Sequence, residues 1–153
     1  MYGDGMVKHI LIGVDGSKES LEAARYGQGL AEQLGGRVTL VFALEPPQVI
    51  PVGPLSGYVM TSAPRSEDDV KKAQKVLDDI IAERPKVPTS ARVELGKPAD
   101  TLCDLAGHLG ADLVIVGSRG LGAGQRLILG SVSDRVVHHA PCPVLVLRPH
   151  QGT

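Results

Sequence analysis

Four short stretches of this chain are almost uninterruptedly apolar: VKHILIGV (Val7–Val14), RVTLVFAL (Arg37–Leu44), DLVIVG (Asp112–Gly117) and PVLVLR (Pro143–Arg148). A strand with one solvated face alternates polar and apolar residues. Continuous runs of this length instead predict strands buried on both faces, as in a parallel sheet covered front and back by its crossover helices. A fifth stretch, ARVEL (Ala91–Leu95), alternates and stops at Gly96.

The segments between these runs change period. Ser17 is the expected N-cap of a first helix, with Glu19 near its positive end and Gly35-Gly36 as its stop. Ser20, Ala23, Ala24, Gly27, Leu30, Ala31 and Leu34 fall on its inner face. Ser66 opens a second helix, to about Arg84, with Val70, Ala73, Leu77, Ile80 and Ile81 as its stripe. Pro98 begins a third, closed by Gly110, and SVSDRVVHHA (Ser131–Ala140) reads as a fourth. From Glu45 to Arg65 lies a proline-rich segment, read as a long loop serving as a lid or left without order. Strands thus alternate with helices, and residues 1–153 are expected to form one α/β domain with a parallel five-stranded sheet and helices on both faces.

Composition narrows the function. The formal net charge of −1 gives no basic field for a polyanion, and with no Trp and one Phe there is no stacking platform for single strands, so no nucleic-acid partner is expected. No apolar run reaches the length of a membrane span, so no membrane partner is expected. Two cysteines, Cys103 and Cys142, far apart in sequence, suit a reducing cytoplasm.

The chemistry concentrates in VIVGSRGLGAGQRLILGSVSDRVV (Val114–Val137). A Walker A loop is absent, since the single Gly-Lys pair, Gly96-Lys97, precedes a proline; a GxGxxG fingerprint is absent too. What is present is Gly117-x2-Gly120-x9-Gly130-Ser131. Gly117 ends a buried strand, Gly120 lets backbone approach a ligand, and Gly130-Ser131 opens a helix. The free amides of Ser131, Val132 and Ser133 would then face a phosphate, with the Ser131 and Ser133 hydroxyls as added donors. The alternative is a flexible connection with Ser131 as an ordinary N-cap. Arg119 and Arg126 are the cations within the motif. His138 and His139 point to different helix faces and form no metal site.

Together, VKHILIGVDGSKES, DLVIVGSRG and LILGSVSDRVVHHAPCPVLVLRP resemble the universal stress protein family over about Val7–Pro149, and the G-x2-G-x9-G-[S/T] spacing resembles its ATP-binding branch. The resemblance implies an open, Rossmann-like sheet of order 3-2-1-4-5, of the adenine-nucleotide alpha-hydrolase-like type. It implies ATP, with Mg²⁺ carried by the phosphates, as cofactor. It places Gly13, Val14 and Asp15 near the adenosine and Ala43 against adenine. The phosphates would lie on Gly117, Ser118, Arg119, Gly120, Gly130, Ser131, Val132 and Ser133. Gly13 stands where some members carry Pro or another residue, which suggests a looser adenine floor. Homodimerisation through the last strand, Pro143–Arg148, is also implied, and covering that apolar edge would remove an aggregation risk. The function expected is a stress-response regulatory module with at most slow ATP hydrolysis or self-phosphorylation. Two alternatives are a stress protein of the same fold that binds no nucleotide, and an adenylating ATP pyrophosphatase; the latter would want an SGGxDS-type loop where DGSKES stands.

Overall fold

The computed structural model describes residues 6–55, 57–60, 65–118 and 129–148. Five strands form the main sheet: β1 (His9–Val14), β2 (Arg37–Leu44), β5 (Thr89–Leu95), β6 (Leu113–Gly117) and β7 (Val144–Leu147). Their order is β5-β2-β1-β6-β7, every pairing parallel, which is the expected 3-2-1-4-5 order of the main strands.

Four helices close the crossovers: α1 (Lys18–Leu34), α2 (Glu67–Glu83), α3 (Pro98–Leu109) and α4 (Ser131–His139). The continuous apolar runs are explained by burial on two sides. Ile10, Ile12 and Val14 of β1 pack into one core with Ala23, Ala24 and Ala31 of α1 and Leu77 and Ile80 of α2. Leu11 of the same strand packs into the other core with Leu102 and Ala106 of α3 and Val136 of α4.

The capping chemistry matches the sequence. Ser17 Oγ accepts the Ser20 amide, and Gly35 ends α1 in the left-handed region at φ 65°. Ser66 and Asp69 form a reciprocal capping box at the start of α2. Two expected core residues are instead exposed, Leu34 and Val70, each in a terminal turn of its helix.

The proline-rich segment, expected as a long loop that is a lid or without order, holds regular structure of its own. It contains an antiparallel hairpin, β3 (Val49–Pro51) with β4 (Tyr58–Met60), in register Ile50↔Val59, closed by the Val52 amide donating to the Gly57 carbonyl at 3.0 Å. The prolines masked it in the sequence, yet they fall where the ladder tolerates them: Pro51 at a strand end and Pro54 in the turn. Both strands are exposed throughout, and no residue from Pro46 to Pro64 carries a charge.

At the N-terminal edge of the sheet, opposite the strands' C-terminal ends, runs a polar chain. His9 Nε2 lies 2.8 Å from Thr39 Oγ1, which lies 3.1 Å from Ser90 Oγ. Asp112 Oδ2 accepts the amides of Lys8 and His9, both at 2.9 Å, and so pins the start of β1 to β6. Among the described residues no helix is long and apolar enough to cross a membrane.

Candidate functional site

At the C-terminal ends of β1, β2 and β6 the structure opens a cleft of about 580 Å³. β1 and β6 are neighbours whose connections leave toward opposite faces of the sheet, so the cleft sits at the topological switch point. The size suits a small organic ligand.

The first wall is the end of β1 and the turn after it. Gly13, Val14 and Asp15 all line the cleft, as expected. Asp15 Oδ1 accepts the Ser17 amide at 2.9 Å, while the Asp15 amide donates to Ser20 Oγ at 3.2 Å. Gly16, at φ 84°, supplies the left-handed turn that lets this loop fold back into α1. Asp15 therefore both shapes the turn and borders the cleft.

The absence of a side chain at Gly13 does not loosen this wall. A Cβ there would stand 2.8 Å from Leu102 Cδ1 and 3.5 Å from Val116 Cγ1. The room is already taken by α3, whose Leu102 and Pro98 also border the cleft. Nothing in the local sequence around Gly13 signals this, because the partner lies on a helix far along the chain.

The second wall is the end of β2, where Ala43 lines the cleft with Phe42 and Leu44. Successive residues along a strand direct their N–H and C=O pairs alternately to its two neighbours. The Arg37 amide bonds to Lys8 next to β1, whereas the Val38 amide bonds to Pro88 and the Leu44 carbonyl to Gly96, both on the β5 side. Ala43 belongs to the Arg37 row, and the β1–β2 register ends at Val14↔Phe42. Its carbonyl is thus the first on that row to lie beyond the ladder, at the cleft.

The third wall joins β6 to α4. Gly117 lines the cleft, and a Cβ on it would meet the Glu19 backbone carbonyl at 3.2 Å, so a glycine lets β6 end tightly against the first turn of α1. Ser118 does not line the cleft. It is buried; its amide donates to the Leu147 carbonyl at 2.9 Å, and its own carbonyl accepts the Gly130 amide at 2.7 Å. This strut delivers α4 to the site.

Gly130 is the N-cap of α4, and no side chain caps it. Ser131 is therefore the first helical residue rather than the cap. The first amide bonded within the helix is that of Asp134, to the Gly130 carbonyl at 2.9 Å. The amides of Ser131, Val132 and Ser133 precede it, and all three residues border the cleft. This end of α4 carries the positive pole of its dipole.

The Ser133 side chain departs from its expected role as a phosphate donor. Its hydroxyl lies 3.2 Å from the Ser118 carbonyl and 3.0 Å from the Gly130 carbonyl, with 2% of the residue exposed. Carbonyls only accept, so the hydroxyl proton is committed to this strut. Arg119, Gly120 and Arg126, the remaining expected contacts of the motif, lie outside the described residues.

The structure also brings in a residue that sequence reasoning missed. Arg65 borders the cleft from the far side of the hairpin, with its Nε donating to the Glu45 carbonyl at 2.7 Å. Among the described residues that line the cleft it is the one Lys or Arg. No spacing rule could have found it, because its position depends on the path of the intervening segment.

Elsewhere, burial pushes His9 below the usual imidazole range, and the Arg37 charge acts in the same direction. Burial likewise pushes the thiols of Cys103 and Cys142 up, and each also faces aspartate charge. Among the described residues no three His, Cys, Asp or Glu side chains converge on a metal position.

The universal stress protein family model matches residues 6–148. This chain belongs to the universal stress protein family. A Staphylococcus aureus (strain USA300) protein that carries the universal stress protein name is 34% identical over 148 residues, 94% of this chain and 86% of that one. Universal stress protein UspA from Lactobacillus plantarum has the same fold, with TM-score 0.73, 22% identity, and coverage of 95% of this chain and 100% of that one. A universal stress protein family protein from Arabidopsis thaliana, solved with AMP bound, shares the fold at TM-score 0.65 and 19% identity, with 94% and 93% covered.

Proposed function

We propose that this universal stress protein binds an adenine nucleotide, ATP foremost, in the switch-point cleft and acts in the cytoplasm as a nucleotide-responsive regulatory module of the stress response. One observation carries the reading: the first three residues of α4, whose amides precede the first intrahelical bond, line the same cleft as Ala43 at the end of β2. A helix N-terminus favours phosphate, and a strand end with a carbonyl beyond its ladder favours the exocyclic amine of adenine. The Arabidopsis relative with AMP bound supports the ligand class. Mg²⁺ would accompany ATP through phosphate oxygens and water. Turnover is at most slow hydrolysis or self-phosphorylation.

Calorimetric titration with ATP, ADP, AMP and cyclic AMP tests the reading, with Ser131→Pro as the site variant. Proline is accommodated at the first helical position but removes the amide donor together with the Ser131 hydroxyl, so Ser131→Ala, which removes the hydroxyl alone, is measured beside it and the amide is read from the difference. From Ser131→Ala to Ser131→Pro, ATP affinity should fall roughly 10- to 100-fold, as expected for one hydrogen bond to a charged group. No heat with any nucleotide on the unaltered protein would overturn the function. Unchanged ATP affinity in Ser131→Pro would overturn the site.

The same reading includes a homodimer. Among the described residues β7 pairs with β6 alone, and its four residues are half-buried. Strand pairing with another copy would satisfy the second edge of β7. A monomer by light scattering at high micromolar concentration would refute it.

A further inference from the structure

We propose that Arg65 is a base-recognition residue: its guanidinium plane packs on the adenine ring and holds the base at the β2 end of the cleft. This rests on the nucleotide reading above and adds to it a residue outside the glycine motif.

Two anchors fix where Arg65 can reach. It directly precedes Ser66, whose capping box with Asp69 locks the start of α2. Its Nε is bound to the Glu45 carbonyl, immediately past the end of β2. Its charge also acts on Asp69 at the start of α2. A guanidinium carries its five N–H donors in one plane, so engagement of Nε in that plane is compatible with a ring stacked on its face.

The position selects the base over the phosphates. The phosphate cradle is built on β6 and α4, whereas Arg65 stands at β2, with β1 between them. Two strand spacings are about 10 Å. Arg65 bonds to Glu45, and Glu45 lines this end of the cleft with the preceding Phe42, Ala43 and Leu44: apolar side chains suited to a ring, beside a carboxylate that disfavours a phosphate. A weakly hydrated guanidinium packs well on an aromatic face, whereas a lysine ammonium lacks the plane.

The test measures ATP, ADP and AMP affinities of the unaltered protein, Arg65→Gln and Arg65→Lys. Stacking predicts a loss of roughly 3- to 30-fold in Arg65→Gln. The factor should be the same for all three nucleotides, and lysine should not restore it. A loss that shrinks as phosphates are removed, or full rescue by lysine, would show a charge contact and overturn the proposal. Undiminished affinity in Arg65→Gln would overturn it too. Failure of the unaltered protein to bind any nucleotide would instead remove the reading beneath it, and the two failures are told apart by that control.

Discussion

An alanine at position 13 measures how tightly α3 seals the cleft floor. Its Cβ would lie 2.8 Å from Leu102 Cδ1 and 3.4 Å from Cδ2, with Val116 Cγ1 at 3.5 Å. Carbon atoms settle at about 3.5–4.0 Å, so the closest approach falls roughly 1 Å short. Leu102 is 3% exposed but borders the cleft, so its end can give way only by shifting toward that space. Overpacking relieved in part by a side-chain shift costs about 1 kcal/mol, the low end of the range for overpacked cores. For a domain of this size each kcal/mol lowers the melting temperature by about 2–4 °C. Leu102→Val should relieve the contact; alone it should cost about 0.5–1.5 kcal/mol. The double variant should then be less destabilised than the sum of the two by about 1 kcal/mol. Urea unfolding of all four proteins, read as midpoint shifts at constant slope, closes the cycle. Additivity within about 0.3–0.5 kcal/mol would refute the claim that Leu102 occupies the room of a Cβ at Gly13.

Ser133→Ala should cost about 1 kcal/mol of stability yet change ATP affinity less than threefold, because its proton is committed to backbone carbonyls. A tenfold affinity loss would reinstate the hydroxyl as a phosphate donor. Asp112→Ala strips the acceptor from two amides at the start of β1, one exposed and one half-buried, and should cost roughly 1 kcal/mol, with faster hydrogen exchange at Lys8 and His9; unchanged exchange would refute the pin. His9 is held below its ordinary value in the folded state, so the unfolded chain binds the proton first as pH falls. Its contribution to stability is therefore complete above about pH 6.5 and is lost as pH drops below that toward its folded value. His9→Gln should flatten this part of the stability profile, and an unchanged slope would contradict the assignment.

Much of the fold was legible because it rests on local chemistry. The doubly buried strands showed as unbroken apolar runs, and Ser17, Gly35, Ser66 and Gly110 marked helix ends through capping rules that act within a few residues. The hairpin was not legible, since its short strands are interrupted by proline and bury nothing. The site divides the same way. Gly13, Val14, Asp15, Ala43, Gly117 and Gly130 to Ser133 sit at ends of elements, where spacing and family resemblance point, and all border one cleft. The direction of the Ser133 hydroxyl was invisible, because its acceptor on Ser118 is reached across a connection whose path spacing does not specify.

What the amino-acid sequence determined by itself is the succession of elements, their caps, and hence a parallel sheet; the strand order that creates the switch point came from the family resemblance. Periodicity and capping are properties of neighbouring residues, so they survive being read one segment at a time. What only the tertiary structure decided is who else arrives there. Leu102 fills the space beside Gly13 from α3, and Arg65 is held at the cleft by the Glu45 carbonyl. Both depend on distances of closest approach between segments remote in the chain, and such distances are settled by packing in three dimensions.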